Sequence, residues 1–286
     1  MKIYYLEVDD SKKVAIKDQG NFYLLDEMGL KFDDINQVID SGFNVKSINF
    51  DNAKKLNSEF KVLSPIEKPK QDIICVGMNY IDHQKEVEEA SRENFAKEVD
   101  TIFFSKRANK ILGDNDYIPL NSEITSCLDY EVELGIIIGK DAKNVKSKNA
   151  KDYIFGFTVL NDLSARDLQT KYKQWYYGKS FDGSTVMGPC ILLNDGSFDY
   201  NNLNLHTYVN GELRQNNNTK NMILGIDDII EELTKSITLK KGTIISSGTP
   251  SGVGMAFNPP KYLKNNDILK LEIDKIGKIE NYVKRF

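Results

Sequence analysis

The 286 residues are 40% hydrophobic and 28% charged, a soluble composition with enough apolar mass for one large domain, or a large one beside a small one. Lysine and arginine number 38 against 42 acids, a net charge of −4, which excludes the basic face of a general nucleic-acid binder. No apolar run is long enough for a membrane span, and MKIYYLEVDD lacks a basic segment followed by an apolar one, so no signal peptide and a cytoplasmic location are expected.

Residues 2–64 read as short strands, KIYYLEV, KVAIKD and NFYLLD, with a weak helix near DDINQVIDSG. SPIEKPKQ (64–71) carries two prolines and marks the expected boundary between a small N-terminal domain (1–66) and a catalytic domain (67–286). DIICVGMNY (72–80) has strand length, and the charged IDHQKEVEEASRENFAKEVD (81–100) favours a helix. TIFFSK, LDYEVELGIII (128–138) and IFGFTVLND (154–162) read as strands. LNLHTYVNGELRQ (203–215) is a hairpin whose Asn210-Gly211 suits a type I′ turn. MILGIDDIIEELTKSITLKKG (222–242) has helical spacing, with Gly242 as the stop. GTIISSGTPSGVGMAF is a strand entering a glycine-rich loop, and DILKLEIDKIGKIENYV an alternating hairpin. Many strands of mixed character and few helices predict an α+β fold.

Cys75, Cys127 and Cys190 stand far apart without a CxxC, which suits buried, reduced thiols. With only His83 and His206 present, a zinc site built on several histidines is disfavoured.

Asp129, Glu131 and Glu133 alternate with apolar residues, so one strand face would carry all three. Either an edge strand wets them in solvent, or they are buried and a hard divalent cation compensates them. No basic residue interleaves and the strand runs on into GIII, which favours burial; a third ligand must then come from elsewhere. Asp162, at the end of IFGFTVLND, is placed either for that role or as a helix N-cap. His83 and Glu86 lie one helical turn apart, as a solvated face or as a histidine held by a carboxylate to act as a base toward water. SSGTPSGVG lacks a phosphate-loop lysine; its glycines let backbone N–H groups approach a carboxylate. Trp175 reads as packing or a pocket mouth, and His206 as a surface residue.

Five stretches in order, ICVGMNYIDHQKEV (74–87), DYEVELGIIIGK (129–140), NDLSARDLQ (161–169), GKSFDG with MGP (178–183, 187–189) and SSGTPSGVG (246–254), resemble the fumarylacetoacetate hydrolase family. The resemblance implies that family's mixed β-roll or β-sandwich with few helices, preceded by a small β-rich domain. It implies Glu131, Glu133 and Asp162 as ligands of one Mg²⁺ or Mn²⁺, with Asp129 outside that set as a supporting or solvent acid. It implies Lys179 facing the metal-bound substrate, and His83 with Glu86 as the His-x-x-Glu pair of a lid. Gly248 and Thr249 match the loop that holds a substrate carboxylate, Gln169 a substrate contact, and Lys106 a lysine of the pocket wall. Arg166 lies in the motif, where a structural ion pair is the other role open to it.

The implied activity is metal-dependent hydrolysis of a C–C bond in an acylpyruvate or 2,4-dioxo acid through a pyruvate enolate. Oxaloacetate decarboxylation and isomerisation of 2-hydroxyhepta-2,4-diene-1,7-dioate need the same residues. A metal-stabilised binding protein without turnover is the rival from another class. The charged stretch EVEEASRENFAKEV (86–99) is expected to close over substrate as a helix, and the resemblance implies a homodimer with a small 2-oxo acid as its ligand.

Overall fold

Alternating and β-branched runs put most of the chain into strands, and a computed structural model describes residues 1–44, 48–50, 53–91 and 101–286. The chain opens with β1 (Lys2–Val8), β2 (Ser11–Asp18) and β3 (Asn21–Leu24), then α1 (Ile35–Asp40) and the short β4 (Lys61–Val62). There follow β5 (Ile73–Gly77), α2 (Ile81–Ser91), β6 (Ile102–Lys106), β7 (Tyr117–Leu120), β8 (Leu128–Asp129) and β9 (Val132–Ile138). Next come β10 (Ile154–Asp162), β11 (Ser164–Ala165), α3 (Arg166–Lys171), α4 (Tyr176–Lys179) and β12 (Thr185–Leu193). The rest is β13 (Asn204–Val209), β14 (Glu212–Asn218), α5 (Ile226–Ser236), β15 (Ile244–Ser246), β16 (Ile268–Ile273) and β17 (Gly277–Arg285).

One large sheet runs β3-β2-β1-β12-β10-β9-β15-β5-β6, with β4 also on β1; a second runs β14-β13-β16-β17-β7. Together with few helices this is the expected mixed α+β architecture. The boundary expected at 66–67 falls between β4 and β5, and β1 pairs with β12 (Lys2↔Leu192, Ile3↔Ile191), so the N-terminal strands extend the large sheet. Ile3 and Ile16 share a core there with Ile137 and Ile191.

β9 lies near the middle of the sheet, between β10 and β15, and every residue of it is buried. Its side chains alternate between two cores: Leu134, Ile136 and Ile138 enter one and Ile137 the other. Glu133 shares the parity of Ile137, so a carboxylate enters the sheet's interior on that side. The strand ends around it build the site.

The hairpin β13–β14 turns at Asn210 and Gly211, with φ 51 and 81, the positive pair a type I′ turn needs. α5 is shorter than its pattern: it starts after Gly225 and ends at Ser236, and Leu239 bridges to Ala142 instead. Gly242 caps no helix; it sits at φ 82 in the turn before β15. Of the cysteines, Cys75 and Cys190 are buried while Cys127 is half-exposed. Among the described residues no helix is long and apolar enough to cross a membrane. Of the charged stretch expected to close over substrate, 92–99 lie outside the described residues.

Candidate metal and substrate site

The row of acids does not lie on one strand. β8 stops at Asp129, which pairs with Ser164 in a separate two-stranded ladder, and β9 resumes at Val132. Asp129 is pulled aside by the N–H groups of Gly254 (2.7 Å) and Met255 (3.0 Å) and by Arg166 Nε (2.9 Å). Being fully buried, it is no solvent acid.

Glu131 and Glu133 instead meet Asp162. β10 runs antiparallel to β9 in the register Leu160↔Glu133 and Asn161↔Val132, which carries Asp162 to the end of the pair. There the Asp162 N–H donates to Glu131 O at 3.0 Å, and the Glu131 N–H donates to Asn161 Oδ1 at 3.1 Å. One carboxylate oxygen from each of Glu131, Glu133 and Asp162 lies within 4.8 Å of the other two. All three are buried, which removes the solvent-edge reading; Asp162 is not an N-cap either, because α3 begins after Ala165.

The compensation of these charges is uneven. Lys179 Nζ stands 2.6 Å from Glu131 Oε2 and 2.8 Å from Asp162 Oδ2. Arg166 reaches Glu131 Oε1 at 2.7 Å, and Lys106 reaches Asp162 Oδ1 at 2.6 Å. Burial would raise the Glu131 carboxyl, but Lys179, Arg166 and His83 outweigh it and bring it down to about 2. Among the described residues Glu133 makes no salt bridge, although the Lys179 charge partly offsets its own; it accepts the Gly248 N–H at 2.8 Å and the Ser246 hydroxyl. Burial, then the charges of Asp162 and Glu131, push it up to about 8. Burial lowers the Lys179 ammonium, yet Asp162 and Glu131 outweigh that and hold it above its ordinary range. Three converging hard oxygens, one without a salt bridge, fit a divalent cation such as Mg²⁺ or Mn²⁺.

Above this cluster stands α2. His83 is buried, and its Nδ1 lies 3.0 Å from Glu86 Oε1, so HQKE is not a solvated helix face. His83, Glu131, Glu133, Arg166, Gln169, Lys179 and Thr249 line one cavity of about 450 Å³. Its apolar wall includes Trp175, which packs edge-on against Phe104 with ring centroids 5.1 Å apart.

Two of the expected residues have other partners here. Lys106 is not on the cavity wall; it is wholly buried behind Asp162, whose second oxygen it pairs, and it also donates to Leu163 O at 3.1 Å. Burial lowers its ammonium. Gly248 offers its N–H to Glu133, so that amide holds a carboxylate of the chain itself. Thr249 does line the cavity, while its hydroxyl donates to Val132 O at 2.9 Å and accepts from Gln215 Nε2 at 2.8 Å. Gln169 accepts from Arg166 Nη1 at 3.1 Å, so Arg166 is both ion pair and cavity wall. His206 lies on the hairpin and is not among the residues that line the cavity. Sequence reasoning passed over Ser246, Gly252 and Gly254, whose donors hold Glu133, Glu86 and Asp129; the small residues of SSGTPSGVG were the available signal.

The family model described as fumarylacetoacetate (FAA) hydrolase, C-terminal, matches residues 72–284. The chain belongs to the fumarylacetoacetate hydrolase family. Oxaloacetate tautomerase YisK of Bacillus subtilis is 41% identical over 226 residues, 79% of this chain and 74% of that protein. The structure of a fumarylacetoacetate hydrolase from Exiguobacterium antarcticum superposes with TM-score 0.89 at 34% identity, covering 100% of both chains. A 5-carboxymethyl-2-hydroxymuconate delta-isomerase from Mycobacterium smegmatis gives TM-score 0.76 at 27% identity, over 100% of this chain and 99% of that one. Hydrolase, tautomerase and isomerase activities thus occur among fumarylacetoacetate hydrolase relatives of this chain.

Proposed function

We propose that this chain is a divalent-metal-dependent enzyme that moves a proton at C3 of a small 2-oxo acid, interconverting keto and enol forms of a dicarboxylate such as oxaloacetate. The observation that carries this reading is His83: held through Nδ1 by Glu86, it shares one cavity with Lys179 and the acidic cluster. A cation held by Glu131, Glu133 and Asp162 would polarise the keto group of a bound 2-oxo acid.

The chain's own residues supply the rest. His83 Nε2, the nitrogen not engaged by Glu86, takes the C3 proton. The C–H electrons become the C2=C3 bond, and the keto oxygen gains charge that a proton then quenches. Lys179 is held protonated by Asp162 and Glu131, which suits it to stabilise that charge and unsuits it as the base. Glu86 fixes the histidine tautomer and ring plane. The 41% identity to an oxaloacetate tautomerase supports the choice of substrate class.

Hydrolysis of the C–C bond of an acylpyruvate is the second reading, favoured by the same dyad, which can activate water as well as a carbon acid. The deciding experiment supplies Mg²⁺ or Mn²⁺ with oxaloacetate, acetylpyruvate and fumarylpyruvate. Faster ultraviolet loss of enol-oxaloacetate without pyruvate supports tautomerisation. Pyruvate from the acylpyruvates supports hydrolysis, and pyruvate from oxaloacetate decarboxylation. No turnover of any of them sinks the enzymatic reading. A homodimer in the cytoplasm belongs to the same proposal, and light scattering tests the assembly.

A further inference from the structure

The first turn of α2 is clipped to two distant parts of the fold. Asp82 Oδ2 accepts from the Ser251 hydroxyl at 2.6 Å and from Asn217 Nδ2 at 2.6 Å. Asp82 Oδ1 accepts the His83 backbone N–H at 2.9 Å. The Asn217 amide has one orientation open to it. Its Oδ1 accepts the Asn218 N–H and Asn221 Nδ2, both at 2.7 Å, which leaves the NH₂ for Asp82. Hydrogen bonds to an ionised carboxylate are roughly twice as strong as neutral ones. An acid at a helix start is also favoured by the helix dipole.

The chain is pinned just ahead of the clip. β5 turns into α2 through Met78 at φ 51, and Asn79 fixes that turn. Asn79 Nδ2 donates to Ser247 O at 2.8 Å, and its Oδ1 accepts the Leu224 N–H at 2.8 Å. Past the clip, Glu86 Oε2 accepts the Gly252 N–H at 2.6 Å. Residues 82 and 86 are one helical turn apart and flank His83, and neighbouring residues of one loop, Ser251 and Gly252, hold both.

We propose that Asp82 is a positioning residue for the reaction: clipped to Ser251 and Asn217, it sets the height and rotation of α2, and with them the place of His83 over the acidic cluster. The inference rests on the role proposed for His83. Asp82 is absent from the cavity wall and touches none of Glu131, Glu133 or Asp162, so it acts through α2 alone.

The test uses the full chain with Mn²⁺ and oxaloacetate, and compares wild type with Asp82→Ala, Ser251→Ala and the double variant. Asp82→Ala is expected to speed hydrogen exchange over the amides of residues 83–88 and to lower kcat roughly ten- to a hundredfold, with Mn²⁺ affinity kept. A smaller loss of the same kind is expected for Ser251→Ala, and a double-variant loss short of the product of the singles, because one contact is being removed twice. Asp82→Asn, which keeps an acceptor for the His83 N–H, should recover part of kcat. Wild-type exchange over 83–88 in Asp82→Ala, or faster exchange with unchanged kcat, overturns the proposal. Should Asp82→Ala not fold, Ser251→Ala and Asn217→Ala carry the same two readouts. If wild type turns over no 2-oxo acid, the proposed function fails, and exchange alone decides whether Asp82 fixes α2.

Discussion

Gly252 donates its backbone N–H to Glu86 Oε2 at 2.6 Å, leaving Oε1 for His83 Nδ1 at 3.0 Å. One loop amide therefore sets the carboxylate that sets the histidine. Gly252 sits at φ 101, and a Cβ there would lie 1.9 Å from Arg214 O. Gly252→Ala must shift the loop, with both strain and clash against backbone. The expected outcome is a loss of about 1–3 kcal/mol in stability and a fall in kcat larger than any change in Mn²⁺ affinity. Thermal melts and steady-state kinetics on one preparation check it.

Glu133 is the buried acid of the cluster without a salt bridge among the described residues, so its removal should act in opposite directions on two properties. Glu133→Gln should weaken Mn²⁺ binding beyond the roughly 10- to 100-fold typical of supporting groups, since a ligand itself is lost. Above about pH 8, where the buried Glu133 is ionised, the same variant should melt higher than metal-free wild type, because a buried charge disappears. Calorimetric titration with Mn²⁺ and melts in chelator decide both; a lower melting temperature for the variant in chelator would count against the unpaired-charge account.

A chelator should lower the melting temperature of wild type and leave Glu133→Gln unmoved. Cation at 100 times its Kd adds about 2.7 kcal/mol to stability. Melts across a Mn²⁺ series measure this, and equal sensitivity in the two proteins would move the metal elsewhere.

His83→Ala should spare the metal and lose the proton transfer. General acid–base catalysis contributes about 10²- to 10⁴-fold, so kcat should fall within that range while the Mn²⁺ isotherm stays in place. An unchanged kcat would take the dyad out of the chemistry.

Lys106→Met tests the layer behind the site. Asp162 Oδ1 would lose a partner 2.6 Å away in a fully buried setting. Removing one partner of a buried pair costs about 3–5 kcal/mol, so chemical denaturation should find a marginal protein. Added Mn²⁺ should restore part of the loss.

Much of this was legible in the sequence, because it rests on local rules. The period-two pattern of β9, the Asn210-Gly211 turn and the one-turn spacing of His83 and Glu86 each carried a mechanism that the fold obeys. The misreadings came where distant groups overrode a local pattern. Alternation through Asp129 reads as one strand, but amides at Gly254 and Met255 pull that acid out of line. Helical spacing ran on to Leu239, which is buried by pairing with Ala142 rather than by a helix. Lys106, which the resemblance places on the pocket wall, instead pairs the second oxygen of Asp162. The Asp82 clip joins α2 to side chains 135 and 169 residues further along the chain, which no local pattern announces.

Those separations also set an order in time. The amides that quiet Glu133, Asp129 and Glu86 lie 115, 125 and 166 residues further along the chain. A nascent chain leaves the ribosome with these acids made long before their donors exist. Contacts across such long loops are rewarded late in folding, so β9 and β10 can pair while their carboxylates are still hydrated. Those carboxylates gain their donors only when the loop after β15 arrives, which makes the finished cavity one of the later features the molecule acquires.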